Sequence, residues 1–295
     1  SQVRILSGSP SAARRFTKPS SSGHFRFTPA RGRGSLSSMI KTLAILAALL
    51  AAPAAAAQAI EVDVELVVAV DMSGSMDVEE KALQRAGYVA AFRSPELQKA
   101  VAEGAYRRIA VAYLEWAGSI SQVVVVDWTL IDGPESAEAF AAALESRPLS
   151  RIRGTSISGA LDFAADMFEG NGFEGWRKVV DVSGDGPNNR GRPVTDARDA
   201  ALARGVAING LPILLRPSRA SGDLAGYYRA CVIGGPGAFV LPVRARDEFE
   251  RAIRRKLVLE VAGRAPPPHA TPAQYPPNGE DCLVGERLRR LWSEP

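Results

Sequence analysis

Between residues 62 and 262, apolar stretches of strand length alternate with stretches of helical periodicity. Two of the apolar stretches, RRIAVAYLEWAG and SQVVVVDWTLI, are separated only by about residues 118–120. Parallel strands need a crossover of a dozen or more residues, so these two must pair as an antiparallel hairpin. The other strands are each followed by a helix, an order typical of a parallel sheet. The sequence therefore predicts a doubly wound α/β fold: about six strands, mostly parallel, with one antiparallel edge strand and helices on both faces.

The net positive charge of the chain comes from its N-terminal part. The sequence contains 36 basic and 32 acidic residues, a formal charge of +4. Eight of the basic residues and none of the acidic ones precede Glu61, so the remainder has 28 basic against 32 acidic residues. An acidic domain lacks the clustered Lys and Arg of nucleic-acid-binding surfaces. We therefore expect no nucleic-acid partner.

The segment from Met39 to Ala59 has the pattern of a secretory signal peptide. A lysine is followed by an apolar run, residues 43–52, and then by small residues with Ala-X-Ala cleavage sites that end at Ala57 and Ala59. The run is shorter than the roughly 18 to 20 residues that a membrane-spanning helix needs. A stable membrane span is therefore expected only if this segment is retained as an anchor. The predicted location is the periplasm or the medium outside the cell.

These features divide the chain into four parts. Residues 1–38 are basic, contain no acidic residue, and are interpreted as an over-extended start ahead of Met39. Residues 39–59 are the predicted signal peptide, and residues 60–263 are the predicted α/β domain, which is long enough for a core of its own. Residues 264–295 form a Pro-rich tail, which is expected to be extended.

Three loops that follow predicted strands or precede predicted helices carry oxygen-bearing side chains. In ELVVAVDMSGSM a buried strand ends in Asp71, Ser73 and Ser75, and alternation along an extended loop places these three on one side. Thr155 lies in RGTS just before a helix, and Asp185 lies in SGDGPNN just after an apolar strand. Such folds bind ligands at the edge where strands end and helices begin. Hydroxyl and carboxylate oxygens suit Mg²⁺ or Mn²⁺, so these five loop residues predict a metal site.

The segments DMSGS, GTS and GDG, in that order and in those strand–loop–helix settings, resemble the metal-ion-dependent adhesion site (MIDAS) of von Willebrand factor A (VWA) domains. The resemblance covers roughly residues 62–262, and RKVVDVSGDGPNN is similar to a bacterial secreted branch of that family with no assigned function. It implies that the five loop residues hold the metal. In that family a carboxylate from a partner protein completes the coordination. The implied function is an exported adhesion or scaffold module that binds a protein through Mg²⁺ or Mn²⁺.

Other interpretations of the same residues stay open. Each loop by itself is typical of a helix cap or a tight turn, because Asp, Ser and Thr accept hydrogen bonds from free N–H groups. A metal-assisted hydrolase is a second alternative, since a bound metal can activate water. A structural module with an incidental metal is a third. Asp181 departs from the pattern of a buried strand, so it is either paired in the core or placed nearer the metal.

The sequence offers little for catalysis without a metal. Both histidines, His24 and His269, fall outside the predicted domain, so a Ser-His-Asp triad has no histidine there. Two cysteines and one nearby histidine are too few for a zinc site of ordinary composition. No Walker-type phosphate loop occurs in the sequence. We therefore expect a binding module rather than an enzyme.

The two cysteines, Cys231 and Cys282, are expected to form a disulfide, because an exported protein meets an oxidising environment. The bridge would join the Pro-rich tail to the predicted helix DLAGYYRACV. The alternative is a pair of free thiols, one buried in that helix and one exposed.

We predict that the mature chain begins at Gln58 or Ile60, because the Ala-X-Ala sites end at Ala57 and Ala59. N-terminal sequencing of protein recovered from the periplasm or the medium should find one of these two residues. A mature protein that still carries the Arg/Ser-rich residues 1–38 would contradict this prediction.

Overall fold

The computed structural model describes residues 58–150, 154–216, 222–263, 271–272 and 280–293. The predicted over-extended start and nearly all of the predicted signal peptide lie outside these residues. Among the helices of the described ranges, none combines the length and the apolar character needed to cross a bilayer.

The elements are numbered in chain order. The strands are β1 (Ile60–Val62), β2 (Glu65–Asp71), β3 (Ile109–Trp116), β4 (Gln122–Ile131), β5 (Phe173–Gly175), β6 (Lys178–Gly184), β7 (Val206–Pro212), β8 (Phe239–Val240) and β9 (Thr271–Pro272). The helices are α1 (Val78–Phe92), α2 (Pro95–Ala102), α3 (Pro134–Ser146), α4 (Ile157–Asp166), α5 (Val194–Ala203), α6 (Leu224–Tyr227), α7 (Phe249–Ala262) and α8 (Val284–Ser293). A π-helical turn, Tyr228–Val232, continues α6.

The main sheet has the spatial order β4-β3-β2-β6-β7-β8-β9. The strands β3, β2, β6, β7 and β8 pair in parallel, and β4 pairs antiparallel with β3 at one edge. The predicted doubly wound α/β fold with its antiparallel hairpin is thereby confirmed. A second antiparallel strand, β9, lies at the other edge beside β8, and β1 and β5 form a separate parallel pair.

The core lies on both sides of the sheet, and β2 is buried on both faces. Leu66, Val68 and Val70 pack with apolar residues of α1, α2, α3 and α7. Val67 and Ala69 point to the opposite face and pack with α4, α5 and α6. Because successive side chains of a strand alternate between faces, a continuous apolar run such as ELVVAV suits a central strand covered by helices on both sides.

Two features differ from the sequence-based expectations. The strand predicted at residues 62–70 is interrupted, because the Asp63 carboxylate accepts hydrogen bonds from the Tyr106 and Arg108 backbone N–H groups at 3.0 and 3.4 Å. The tail contains β9 and the helix α8 rather than only extended chain. No proline follows Pro277 until Pro295, so a helix can form in this part of the tail.

A buried ionic cluster joins β6 to α7. Lys256 of α7 forms ion pairs with Asp181 of β6 and with Glu260 one turn further along its own helix. Asn209 of β7 donates to Glu260 Oε1 at 3.0 Å, and Tyr88 of α1 faces Asp181. Burial raises the pKa of Glu260 to about 7, with the negative charge of Asp181 as the second cause and Lys256 opposing both. Asp181 is therefore paired in the core.

Replacing Glu260 by Gln should flatten the dependence of stability on pH. A carboxyl whose pKa is raised on folding binds a proton in the native state that it releases on unfolding. The free energy of unfolding then falls as pH rises, by up to about 1.4 kcal/mol per pH unit, between the ordinary pKa of 4.5 and about 7. Denaturant unfolding of both proteins from pH 4.5 to 8 gives the contribution of Glu260 as the difference between them, because the other titratable residues are the same in both. If the free energies of unfolding of the two proteins change with pH in parallel, the pKa of Glu260 is not raised on folding.

Candidate metal centre

The three loops meet at one edge of the sheet. Asp71 is the last residue of β2, and Asp185 directly follows β6. These strands are parallel neighbours, with Val70 opposite Ser183, so both aspartates emerge at the same edge. Thr155 precedes Ser156, the residue that caps α4 by accepting from the Gly159 N–H.

Hydrogen bonds connect the first loop to the third. The Ser73 N–H donates to Asp71 Oδ1 at 2.6 Å, and the hydroxyls of Ser73 and Ser75 lie 2.9 Å apart. The Ser75 hydroxyl donates to Asp185 Oδ1 at 2.6 Å. Asp71, Ser73, Ser75 and Asp185 therefore form one continuous polar chain across β2 and β6.

Thr155 reaches the same place from the second loop. It lines a cleft of about 260 Å³ together with Ser75 and Asp185. Its carbonyl oxygen accepts a hydrogen bond from the Asn189 N–H at 3.1 Å, which ties the second loop to the third. The structure thus brings all five loop residues to one edge of the sheet.

The electrostatics of this cluster are unfavourable without a cation. Asp71 is fully buried, and its Oδ2 atom accepts no hydrogen bond of normal geometry from the described residues. Burial, and secondly the negative charge of Asp185, raise the pKa of Asp71 to about 8, while contacts with Ser73 and the Asp185 backbone oppose this only in part. Burial also raises the pKa of Asp185, against a hydrogen bond from Ser75 that lowers it.

The donor set fits a hard divalent cation. Two carboxylates and three hydroxyls offer only oxygen, the ligand type that Mg²⁺ and Mn²⁺ prefer. A cation would give the buried Asp71 Oδ2 atom the partner that it lacks. The described part of the chain contains no cluster of three or more His, Cys, Asp or Glu side chains suited to a metal ion. A metal site at this edge therefore depends on its Ser and Thr hydroxyls.

Two residues that the sequence did not indicate also line the cleft, Glu80 and Arg216. Glu80 caps α1 by accepting from the Asp77 N–H at 2.9 Å. Arg216 donates to Glu80 Oε2 and to the Ser75 carbonyl oxygen, both at 2.6 Å. Arg216 lies in the loop after β7. Inspection of every loop that follows a predicted strand could therefore have identified it from the sequence.

Gly184 allows close packing beneath Asp71. A Cβ atom at this position would lie 2.8 Å from the Tyr228 hydroxyl and 3.0 Å from Asp71 Oδ2. Any side chain there would push these groups apart, so the end of β6 requires glycine. Tyr228 and Trp116 line this buried space, and no feature of the sequence indicated that they adjoin Asp71.

Comparison with known proteins identifies the family. Residues 61–265 match the family described as "Protein of unknown function (DUF1194)". The chain is a member of the DUF1194 family. A search of curated proteins returned no match to this DUF1194 protein.

Solved structures share the fold of this DUF1194 member. Proximal thread matrix protein 1 (PTMP1) from the mussel byssus aligns with a TM-score of 0.52 and 16% identity, over 70% of this chain and 49% of that one. PTMP1 with a zinc-occupied MIDAS motif aligns with a TM-score of 0.50, at the same identity and coverage. A von Willebrand factor type A structure from Catenulispora acidiphila aligns with a TM-score of 0.46 and 16% identity, over 69% and 43%. The DUF1194 protein spans about half the length of the PTMP1 chains.

Asp71→Asn should stabilise the metal-free protein at alkaline pH. The raised pKa means that wild-type stability falls as pH approaches about 8, whereas an amide carries no charge to bury. We expect a higher melting temperature for the variant in EDTA at pH 9, by about 2 to 4 °C for each kcal/mol gained, and a smaller difference at pH 6. Calorimetry measures both, with Asp127→Asn on the exposed part of β4 as the control. A lower melting temperature at pH 9 would contradict this account of Asp71.

Proposed function

We propose that this DUF1194 protein is an exported binding module that captures a carboxylate of a partner protein through Mg²⁺ or Mn²⁺. Asp71, Ser73, Ser75, Thr155 and Asp185 would hold the ion. The observation that carries the proposal is the buried Asp71 carboxylate: one of its oxygens has no hydrogen-bond partner among the described residues, and it lies beside Asp185, which lines an open cleft.

The charges of the cluster favour an external anion. The carboxylates of Asp71 and Asp185 offset the two charges of a divalent cation, while the hydroxyls are neutral. A bound cation would supply a coordination position, open to the cleft, that an outside carboxylate can fill. Arg216 adds positive charge to the cleft wall, which further favours an acidic group on the partner.

The cleft favours binding over hydrolysis. Among the described residues that line the cleft, the carboxylates are those of Asp185 and Glu80. The Glu80 Oε2 atom already accepts from the Asp77 N–H and from Arg216. A general base must be free to reach a proton on water or substrate, and Glu80 is instead committed to the cap of α1.

The proposed location is outside the cytoplasm. Cys231 and Cys282 form a disulfide with a Cα–Cα distance of 5.5 Å, and such bonds persist mainly in oxidising compartments. The signal-peptide pattern of residues 39–59 supports the same address.

Titration calorimetry with Mg²⁺ and Mn²⁺ tests the proposed site. Wild type should bind with modest affinity and should melt at a higher temperature as the ion is added, by the amount that ligand linkage requires. Asp71→Ala should abolish binding, because it deletes a charged ligand, and Ser73→Ala and Thr155→Ala should weaken binding by less. Asp127→Ala, on β4, should bind like wild type. The proposal fails if wild type shows neither heat nor a melting shift at millimolar ion.

The proposed partner chemistry has a test of its own. Pull-down from periplasmic extract should recover a protein in Mg²⁺ that EDTA releases while the module stays folded by circular dichroism. Capture that persists in EDTA and in Asp71→Ala would mean that the cation does not mediate binding. Metal-dependent hydrolysis of phosphoester or peptide substrates by the purified protein would favour the enzyme instead.

A further inference from the structure

The C-terminal helix α8 lies directly on the loop that carries Asp185. Gly285 is so close to this loop that a Cβ atom there would collide with the carbonyl oxygen of Asn188. Arg289, one turn further along α8, donates to the Asn189 carbonyl oxygen at 3.4 Å. Backbone-to-backbone contact of this kind permits little side-chain adjustment, so the position of α8 and that of the loop depend on each other.

Asn188 connects α8 to two other parts of the fold. Its side chain is fully buried and donates to Glu286 Oε1 at 2.7 Å. Its Oδ1 atom accepts from the Ser158 N–H in the first turn of α4 at 3.0 Å. Its backbone N–H donates to the Tyr227 hydroxyl at 3.1 Å. The buried Asn188 amide therefore fixes the relative positions of α4, α6 and α8, because each hydrogen bond left unmade in the interior costs free energy.

These contacts converge on the joint between the second and third loops. Ser158 lies three residues after Thr155, and Asn188 three residues after Asp185. The adjacent Asn189 N–H donates to the Thr155 carbonyl oxygen at 3.1 Å. The tail helix therefore contacts the segment that sets the distance between Thr155 and Asp185.

The disulfide anchors the helix at this place. Cys282 lies two residues before α8, and Cys231 lies in the π-helical turn that also contains Tyr228. The bond holds the tail against the segment whose tyrosines face Asn188 and Asp71. Without the bond, the chain would link α8 to α7 through residues 263–283, a Pro-rich segment that contacts the sheet at β9.

We infer that α8 is a positioning element of the metal centre: the Cys231–Cys282 bond and the Glu286–Asn188 hydrogen bond hold the Asp185 loop at its distance from Thr155. This inference rests on the proposed metal function and concerns a segment outside the family match at residues 61–265. Release of the helix lets the third loop relax, and a cation held by both loops is then bound less tightly. Glu286 and Asn188 act through the loop and do not touch the ion.

The test compares Glu286→Ala and Cys282→Ser with wild type in the complete protein. Mn²⁺ affinity, measured by calorimetry, should fall about three- to tenfold in each variant, with unchanged far-UV circular dichroism. Glu286→Gln keeps the acceptor oxygen and should restore the wild-type affinity. Leu291→Ala, on the face of α8 where the side chain is 67% exposed, should have no effect.

Amide hydrogen exchange provides a readout that does not need the metal. In Glu286→Ala and Cys282→Ser the amides of Ser158, Asn188 and Asn189 should exchange faster than in wild type, while those of β2 should not change. Faster exchange with unaltered Mn²⁺ affinity overturns the inference, and so does unaltered exchange at these amides. If wild type binds no Mn²⁺, the proposed function fails, and the exchange result alone then decides whether α8 positions the two loops.

Discussion

The parallel pairing of β2 with β6 is the constraint on which the rest of the structure depends. With Val70 opposite Ser183, both strands end at nearly the same level: β2 ends in Asp71, and Asp185 directly follows the last residue of β6, Gly184. Parallel strands covered by helices are mostly apolar on both faces, and polar side chains within them need a buried partner, as Asp181 has in Lys256, so side chains free to bind a ligand lie mainly where the strands stop. The pairing therefore creates a core along the strands and concentrates polar chemistry at their ends.

Among the described residues, two pairs of neighbouring carboxylates, Asp181 with Glu260 and Asp71 with Asp185, differ in the cation that faces them. Asp181 and Glu260 share the ammonium group of Lys256 inside the core. Near Asp71 and Asp185, the described residues offer the more distant Arg216, whose charge lowers the pKa of Asp185 in part while its hydrogen bonds go to Glu80 and the Ser75 carbonyl oxygen. An uncompensated buried charge costs several kcal/mol, which exceeds what a few Ser hydrogen bonds return. The second pair is therefore the one for which we propose a cation.

The sequence predicted the fold and the shared edge of the three loops, because both follow from local patterns. Apolar runs and the short connection at residues 118–120 determine the strands and the hairpin, and position after a strand determines which loops share an edge. The partners of Asp181 and Asn188 could not be predicted. Lys256 lies 75 residues from Asp181, and Glu286 lies 98 residues from Asn188. Such pairs depend on how a helix is rotated and translated on the sheet, which no local pattern encodes.

In the proposed function, the balance of ligands would link the cation to both the partner and the tail. Two carboxylates would neutralise a divalent ion, but neutral hydroxyls bind it more weakly than further carboxylates would, so an external carboxylate would add much of the remaining attraction. A site assembled from separate loops is also sensitive to small changes in their spacing, because Mg²⁺ tolerates little departure from octahedral geometry. Here Thr155 and Asp185 belong to different loops that meet at Asn188 and Asn189. A covalently anchored helix on that joint would give the proposed site the fixed geometry on which partner binding would depend.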